Sequence, residues 1–317
     1  MEQLRYGILS TASIVPRFVN ALKASGTGTV LAIASRESDR AQAMGEKLGI
    51  PKSYGSYENL LADPEIDVVY VAMINSLHYL YARKALQAGK HVICEKPMTL
   101  RTTEAAELFD EARECGRFIT EGQKSVFLPV MQDVRAFLAE GRLGNVHLLD
   151  FTSSCAPVYN GWLHSKEAGG GALYGNAGYC IGLVQMLCGP ITDYNGLATF
   201  GTSEVEEQCV LNMNVGGKTL AVSKITTNVL ATNGLVIFGD NGRIEIPDYW
   251  KARAATVYFN SGETIRFERP CQYELIYEIR HFDECIRKGL TESPVTSRKA
   301  TLQTLSMMES LSDTWRT

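Results

Sequence analysis

The sequence has no C-x-x-C pair among its eight cysteines, no run of about 20 apolar residues, no excess of basic charge, and no metal-ligand spacing among its five histidines. Each absence removes a class. Without a membrane-length run nothing reads as a spanning helix, and the opening MEQLRYGILSTASIV is too short and too soon interrupted for the apolar core of a secretion signal. A cytoplasmic location is therefore expected. A net charge of −4 leaves no basic footprint for nucleic acid. The cysteines at 94, 115, 155, 180, 188, 209, 271 and 285 lie partly in apolar segments and read as reduced, small hydrophobes. The scattered histidines at 78, 91, 147, 164 and 281 lead us to expect no metal site.

What is present is an alternation of two periods. A chain of 317 residues exceeds what one core usually organises, so two domains are expected. Over the first 120 residues or so, apolar runs such as Tyr6 to Leu9, Thr29 to Ser35, Asp67 to Met73, His91 to Lys96 and Phe118 to Glu121 alternate with segments of helical spacing. That is the pattern of βαβ units and a parallel sheet. Ser76 is placed to cap the helix that follows the third of these runs. Beyond Gly122, one helix at about Pro129 to Glu140 gives way to short alternating strands with glycine-rich turns, the grammar of antiparallel hairpins. The expected fold is α/β: a doubly wound parallel sheet of Rossmann type over residues 1–122, then an α+β domain with an open, mainly antiparallel sheet over residues 123–317. Helical periodicity returns at Tyr273 to Lys288 and Arg298 to Asp313.

Three strand ends carry chemistry. The first turn, GILSTASIV, stands where a dinucleotide fingerprint belongs, yet Ser10, Ala12 and Val15 occupy its three glycine positions. Small side chains at Ser10 and Ala12 still let backbone approach a pyrophosphate at the helix N-terminus, and a serine hydroxyl adds a donor. Ser10, Thr11, Ala12, Ser13 and Ile14 are the candidate contacts; an ordinary βα turn is the other reading. The second strand ends in Ser35-Arg36 with Arg40 a helical turn later, where a carboxylate would suit the ribose of NAD and a hydroxyl with guanidiniums suits a 2′-phosphate. NADP is expected over NAD; a solvated basic pair is the alternative. The strand HVICEK ends at Glu95-Lys96-Pro97, and the proline stops it so that an ammonium is presented at the carboxyl edge of the sheet.

On these residues the chain resembles the Gfo/Idh/MocA oxidoreductase family. The resemblance covers nearly the whole length and rests on RYGILSTASIV, on YGSYENLLADPEIDVVYVAMINSLHYLYARKALQAGKHVICEKPMTL, on WLHSKEAGGGALYGNAGYCI and on YEIRHFDECIRKGLTESPV. It implies NAD(P)-dependent hydride transfer with a small polyol, sugar-like or diol/carbonyl substrate. It also implies that Lys96 lies by nicotinamide and substrate, that Ile74, Asn75, Leu77, His78, Glu95 and Gln123 border the cofactor, and that the Lys96-Pro97 bond is cis. Ser35, Arg36 and Arg40 look like the NADP-using branch, which includes dimeric dihydrodiol dehydrogenases.

Gapless matching of the glycine-rich segment puts Tyr179 where the family has a catalytic His or Tyr. A phenol beside an ammonium is acidified and suits proton donation to an alkoxide; a buried packing tyrosine is the alternative. Trp162 and Asn176 are candidate substrate contacts, with Tyr159 and Tyr174 as further pocket linings. Two departures stand out: Gly175 replaces a substrate-binding aspartate four residues before Tyr179, and Val126 replaces an arginine, while Gln123 and Lys124 add polar groups nearby. They motivate a rival reading, a dinucleotide-binding sensor without turnover. An antiparallel sheet with one uncovered face implies a homodimer or higher homo-oligomer.

Overall fold

The computed structural model describes residues 3–155 and 161–316. Two compact units result, Met1–Gly122 with Tyr273–Leu302, and Gln123–Gln272 with Gln303–Thr317.

The first unit runs β1 (Leu4–Leu9), α1 (Val15–Ser25), β2 (Gly28–Ala34), α2 (Ser38–Leu48), β3 (Lys52–Tyr54), α3 (Tyr57–Leu61), β4 (Val68–Val71), α4 (His78–Gln87), β5 (His91–Glu95), α5 (Thr102–Cys115) and β6 (Ile119–Gly122). The strands form one sheet in the order β3-β2-β1-β4-β5-β6, every neighbouring pair parallel. All four residues of β4 are buried, as a strand covered by helices on both faces requires. Phe18 from α1 stacks on Tyr70 from β4 at 3.7 Å between ring centres. Because the sheet is parallel, every strand's carboxyl end lies along one edge, and the strand order reverses between β1 and β4.

The segment Tyr273–Leu302 clusters with this first unit, whereas residues 123–317 were expected to form the second. The reason is hydrophobic. Between β6 and the carboxyl-terminal segments lie, in chain order, α6 (Pro129–Ala139), β7 (Val146–Ser154), α7 (Gly178–Cys188), β8 (Ile191–Phe200), β9 (Glu206–Val215), β10 (Thr219–Thr226), β11 (Gly234–Gly239), β12 (Gly242–Pro247), β13 (Ala254–Phe259) and β14 (Thr264–Glu268). Then α8 (Ile276–Arg287) fully buries Ile279 and Phe282, worth about 1.5–3 kcal/mol each. The Tyr6 hydroxyl of β1 donates to Asp283 of α8, and both side chains are fully buried.

The eight strands of the second unit form a sheet in the order β14-β13-β12-β11-β7-β10-β9-β8. Every neighbouring pair is antiparallel except β7 with β10. Alternation along the central strands buries Leu149, Phe151, Leu211, Met213, Ile225 and Ile237 on one face. The opposite face exposes apolar side chains, Leu197 at 79% and Leu220 at 54% of their surface. The last helix, α9 (Arg298–Trp315), ends on this unit, with the Trp315 indole donating to the Gly196 carbonyl at 2.9 Å. No helix among the described residues is long and apolar enough to cross a membrane.

Candidate active site

The expected residues of the first unit fall just beyond the carboxyl ends of β1, β2, β4 and β5, which the parallel sheet aligns. Ser10 follows β1 with φ of +108°, a region that favours glycine. The first fingerprint position thus keeps a glycine-like backbone without the glycine. Its amide donates to the Ala34 carbonyl at 2.9 Å and its hydroxyl accepts from the Ala12 amide at 3.0 Å, which fixes the turn. Thr11, Ala12 and Ser13 lie in that turn, and Ile14 is the residue before α1, where no side chain caps the first helical turn. Small side chains and an uncapped helix N-terminus suit a dinucleotide pyrophosphate.

Beyond β2, Ser35 is buried and its hydroxyl accepts from the Glu37 amide at 3.3 Å. Arg36 is exposed, and Arg40 donates to Glu37 at 3.4 Å. Two guanidiniums, Arg36 and Arg40, stand at this strand end beside the carboxylates of Glu37 and Asp39. Beyond β4, a single 3-10 turn spans Asn75–Leu77; the expected serine cap of α4 is absent, since Leu77 precedes the helix and no side chain caps it. Asn75 is buried in that turn and Ile74 is partly exposed.

The third cluster surrounds the end of β5. The Lys96-Pro97 peptide is cis, as the resemblance implied. Several side chains fasten this bend. The Tyr70 hydroxyl donates to Glu95, whose other oxygen accepts from the Lys96 amide at 3.3 Å. His78 is buried, with Nδ1 2.7 Å from the Pro97 carbonyl and Nε2 3.0 Å from the Met73 carbonyl. Burial lowers its pKa, and a neutral ring donates from only one of those nitrogens. Glu121, one residue from the end of β6, is buried and accepts from the Met98 amide at 2.9 Å.

Glu121 was visible in the sequence only as the end of a strand. Burial pushes its carboxyl up to about 7, opposed by the Met98 amide and the nearby Lys96 ammonium. In the unfolded chain such a group titrates near 4.5. The folded protein therefore holds a proton that the unfolded chain releases, and the associated stability, fully present below about pH 4.5, is lost as pH rises through about 7. Glu121→Gln removes this dependence. Between pH 4.5 and 8 its stability should change relative to wild type by about 2–3 kcal/mol in the variant's favour. Urea denaturation of both proteins at a series of pH values measures this; parallel curves would refute the assignment.

In the second unit, Gly169-Gly170-Gly171 leads into a π-helical turn, Leu173–Ala177, that continues as α7. Such turns recur at functional sites. A Cβ on Gly170 would lie 2.4 Å from the Leu163 carbonyl oxygen, and Gly171 has φ of +113° with Glu206 against it. Only a glycine pair brings the Trp162–Leu163 backbone this close. Asn176, in the π turn, has its amide nitrogen 3.4 Å from the Cys155 sulfur. Tyr174 and Tyr179 are buried, and Trp162 is partly exposed; Tyr159 lies outside the described residues.

Gln123 belongs to this second unit, its side-chain amide donating to the Gly178 carbonyl at 2.6 Å. Lys124 is buried and donates to the Tyr179 hydroxyl at 2.6 Å, its ammonium 4.5 Å from that ring's centre. The sequence indicated a polar group here but not this pairing, because nothing in a helix-turn pattern reveals that a lysine turns inward.

Residues 4–123 match the family described as "Oxidoreductase family, NAD-binding Rossmann fold", and residues 131–245 match the "GFO/IDH/MocA C-terminal domain". The chain is 32% identical over 311 residues to a trans-1,2-dihydrobenzene-1,2-diol dehydrogenase of Xenopus laevis, covering 92% of each chain. It is 31% identical over 310 residues to the mouse enzyme of that name, covering 92% of this chain and 91% of that one. Among solved structures, a 3-ketoreductase from Actinomadura kijaniata in complex with NADP and TDP-benzene superposes with a TM-score of 0.90 at 25% identity, covering 98% of this chain and 97% of that one. Motifs, sheet order and relatives agree, and the chain belongs to the Gfo/Idh/MocA family as an NAD(P)-dependent oxidoreductase of CH–OH and C=O groups.

Proposed function

We propose that the protein uses NADP to interconvert a carbonyl and a carbinol on a small diol, polyol or sugar-like molecule. The observation that carries this is Lys96 at the carboxyl end of β5, on a bend whose backbone is fastened by Glu95, His78 and Glu121, in a chain similar over nine-tenths of its length to diol dehydrogenases. When bound, the nicotinamide supplies or takes the hydride. The chain's own residues do the rest. Ser10 to Ile14 hold the pyrophosphate, Ile74, Asn75, Leu77, His78 and Glu95 border the cofactor from the first unit and Gln123 from the second. Lys96 polarises the substrate oxygen, and Tyr179 gives that oxygen a proton in reduction and takes it back in oxidation. Trp162 and Asn176 contact substrate. The exposed apolar face of the second sheet supports a homodimer, and the free thiols of the eight cysteines support a cytoplasmic home.

Arg36 and Arg40 with the Ser35 hydroxyl would receive the 2′-phosphate. Arg36→Ala should weaken NADPH binding roughly 10–100-fold, the worth of a charge-assisted hydrogen bond, and leave NADH within about twofold. Nucleotide fluorescence titrations of both proteins test it, and equal losses for both nucleotides would exclude the 2′-phosphate role. Oxidation of NADPH with a panel of ketones and hydroxyketones tests the activity itself; saturable binding with no turnover on any member would favour the sensor.

A further inference from the structure

We propose that Lys124 is a positioning residue that acidifies the Tyr179 phenol and fixes its direction. The inference rests on the reading of Tyr179 as the proton donor.

The geometry is specific. A lysine nitrogen has only donors, so at 2.6 Å from the Tyr179 hydroxyl the phenol oxygen must accept, and the phenol's own proton is directed to another acceptor. An ammonium that donates to an oxygen stabilises its anion more than its neutral form. The same ammonium lies 4.5 Å from the ring centre, at the hydroxyl end of the ring. Burying a charge is costly unless it is paired, so this placement implies a partner that offsets the cost.

The short turn carrying Lys124 is clamped to α7. Gln123 donates to the Gly178 carbonyl at 2.6 Å, Ser125 is fully buried, and a Cβ on Gly182 would come within 2.8 Å of the Gln123 amide nitrogen. The ammonium thus has little freedom to leave the phenol. Several charged groups on α6 and β7 have ion-pair partners of their own. Asp133 on α6 pairs with Arg269, Asp150 on β7 with Lys224 on β10, and His147 on β7 with Asp240. Arg135 on α6 is exposed, and Tyr174 on the π turn is an uncharged phenol.

In carbonyl reduction the Tyr179 O–H bond breaks as its proton passes to the oxygen that the arriving hydride has made an alkoxide. The phenolate left behind is held by the Lys124 ammonium until solvent restores the proton. In oxidation the phenolate takes the alcohol proton and the hydride departs to the nicotinamide.

The test reads the phenol directly, without substrate. The full-length protein labelled with 13C-tyrosine gives one resonance that Tyr179→Phe removes, and its shift is followed from pH 6 to 11. The expected midpoint lies at least about one pH unit below that of an ordinary tyrosine near 10. Lys124→Met should raise it by at least about one pH unit, and Lys124→Arg should restore most of the difference. If Lys124→Met does not fold, Lys124→Gln against Lys124→Arg makes the same comparison. A midpoint unchanged by loss of the cation overturns the inference whatever the turnover. Normal turnover by Tyr179→Phe would overturn the proton-donor role instead, leaving the titration to stand on its own.

Discussion

Lys96→Met should reduce turnover by roughly 10²–10⁴-fold, the usual contribution of a positioned acid–base group, with NADPH affinity within about tenfold of wild type. Methionine keeps the length and most of the volume of the lysine stem, so the bend fastened by Tyr70, Glu95, His78 and Glu121 has no steric reason to move. The loss should therefore fall on kcat, because the interaction removed matters most when negative charge develops on the substrate oxygen. Steady-state kinetics with any substrate found by the carbonyl panel, alongside nucleotide titration, give both numbers. A variant that turns over within tenfold of wild type would remove Lys96 from the chemistry.

Gly170→Ala should be the most damaging small substitution in the second unit. The new methyl would lie 2.4 Å from the Leu163 carbonyl oxygen and 2.5 Å from that of Trp162, both backbone atoms with no side-chain freedom to yield. Overpacking against fixed atoms costs about 1–3 kcal/mol. For a unit of this size that corresponds to a fall in Tm of roughly 3–10 °C. Gly171→Ala meets a different obstacle, a backbone at φ of +113°, with the carboxylate of Glu206 against it. Both variants should also lose turnover, because the glycines set the path into the π turn and the helix that carries Tyr179. Scanning calorimetry decides the first point: a midpoint for Gly170→Ala within about 1 °C of wild type would mean the close approach of these two segments is not needed.

The parts of this protein that the sequence declares are those where one physical signal dominates. In β1, β4 and β5 continuous apolar runs can only be strands covered on both faces, and the strand ends that follow them locate Ser10, Ser35 and Lys96 without any knowledge of packing. The three-residue β3 and five-residue α3 carry too few residues for a period to show. Strand β8 is mostly exposed, so its alternation of buried and exposed residues is weak. The parallel pairing of β7 with β10 depends on partners some 70 residues apart and leaves no local mark. The same holds at the site. Lys96 is announced by the proline after it, whereas Glu121 near the end of β6 and Lys124 just beyond it look like ordinary polar residues. Their burial, and hence their chemistry, is decided by packing within each unit: the cis bend bonds to Glu121, and α7 presents Tyr179 to Lys124.

The split composition of the first unit governs how the molecule is made. A ribosome that has released β6 has delivered every strand of the parallel sheet, yet α8, with Phe282, Ile279 and the carboxylate that receives the Tyr6 hydroxyl, is still some 150 codons away. Until then the nascent sheet shows bare oil to water on one side. The nucleotide-binding half is thus the first to begin folding and among the last to finish, and it must wait, open-flanked, while an entire eight-stranded neighbour is translated.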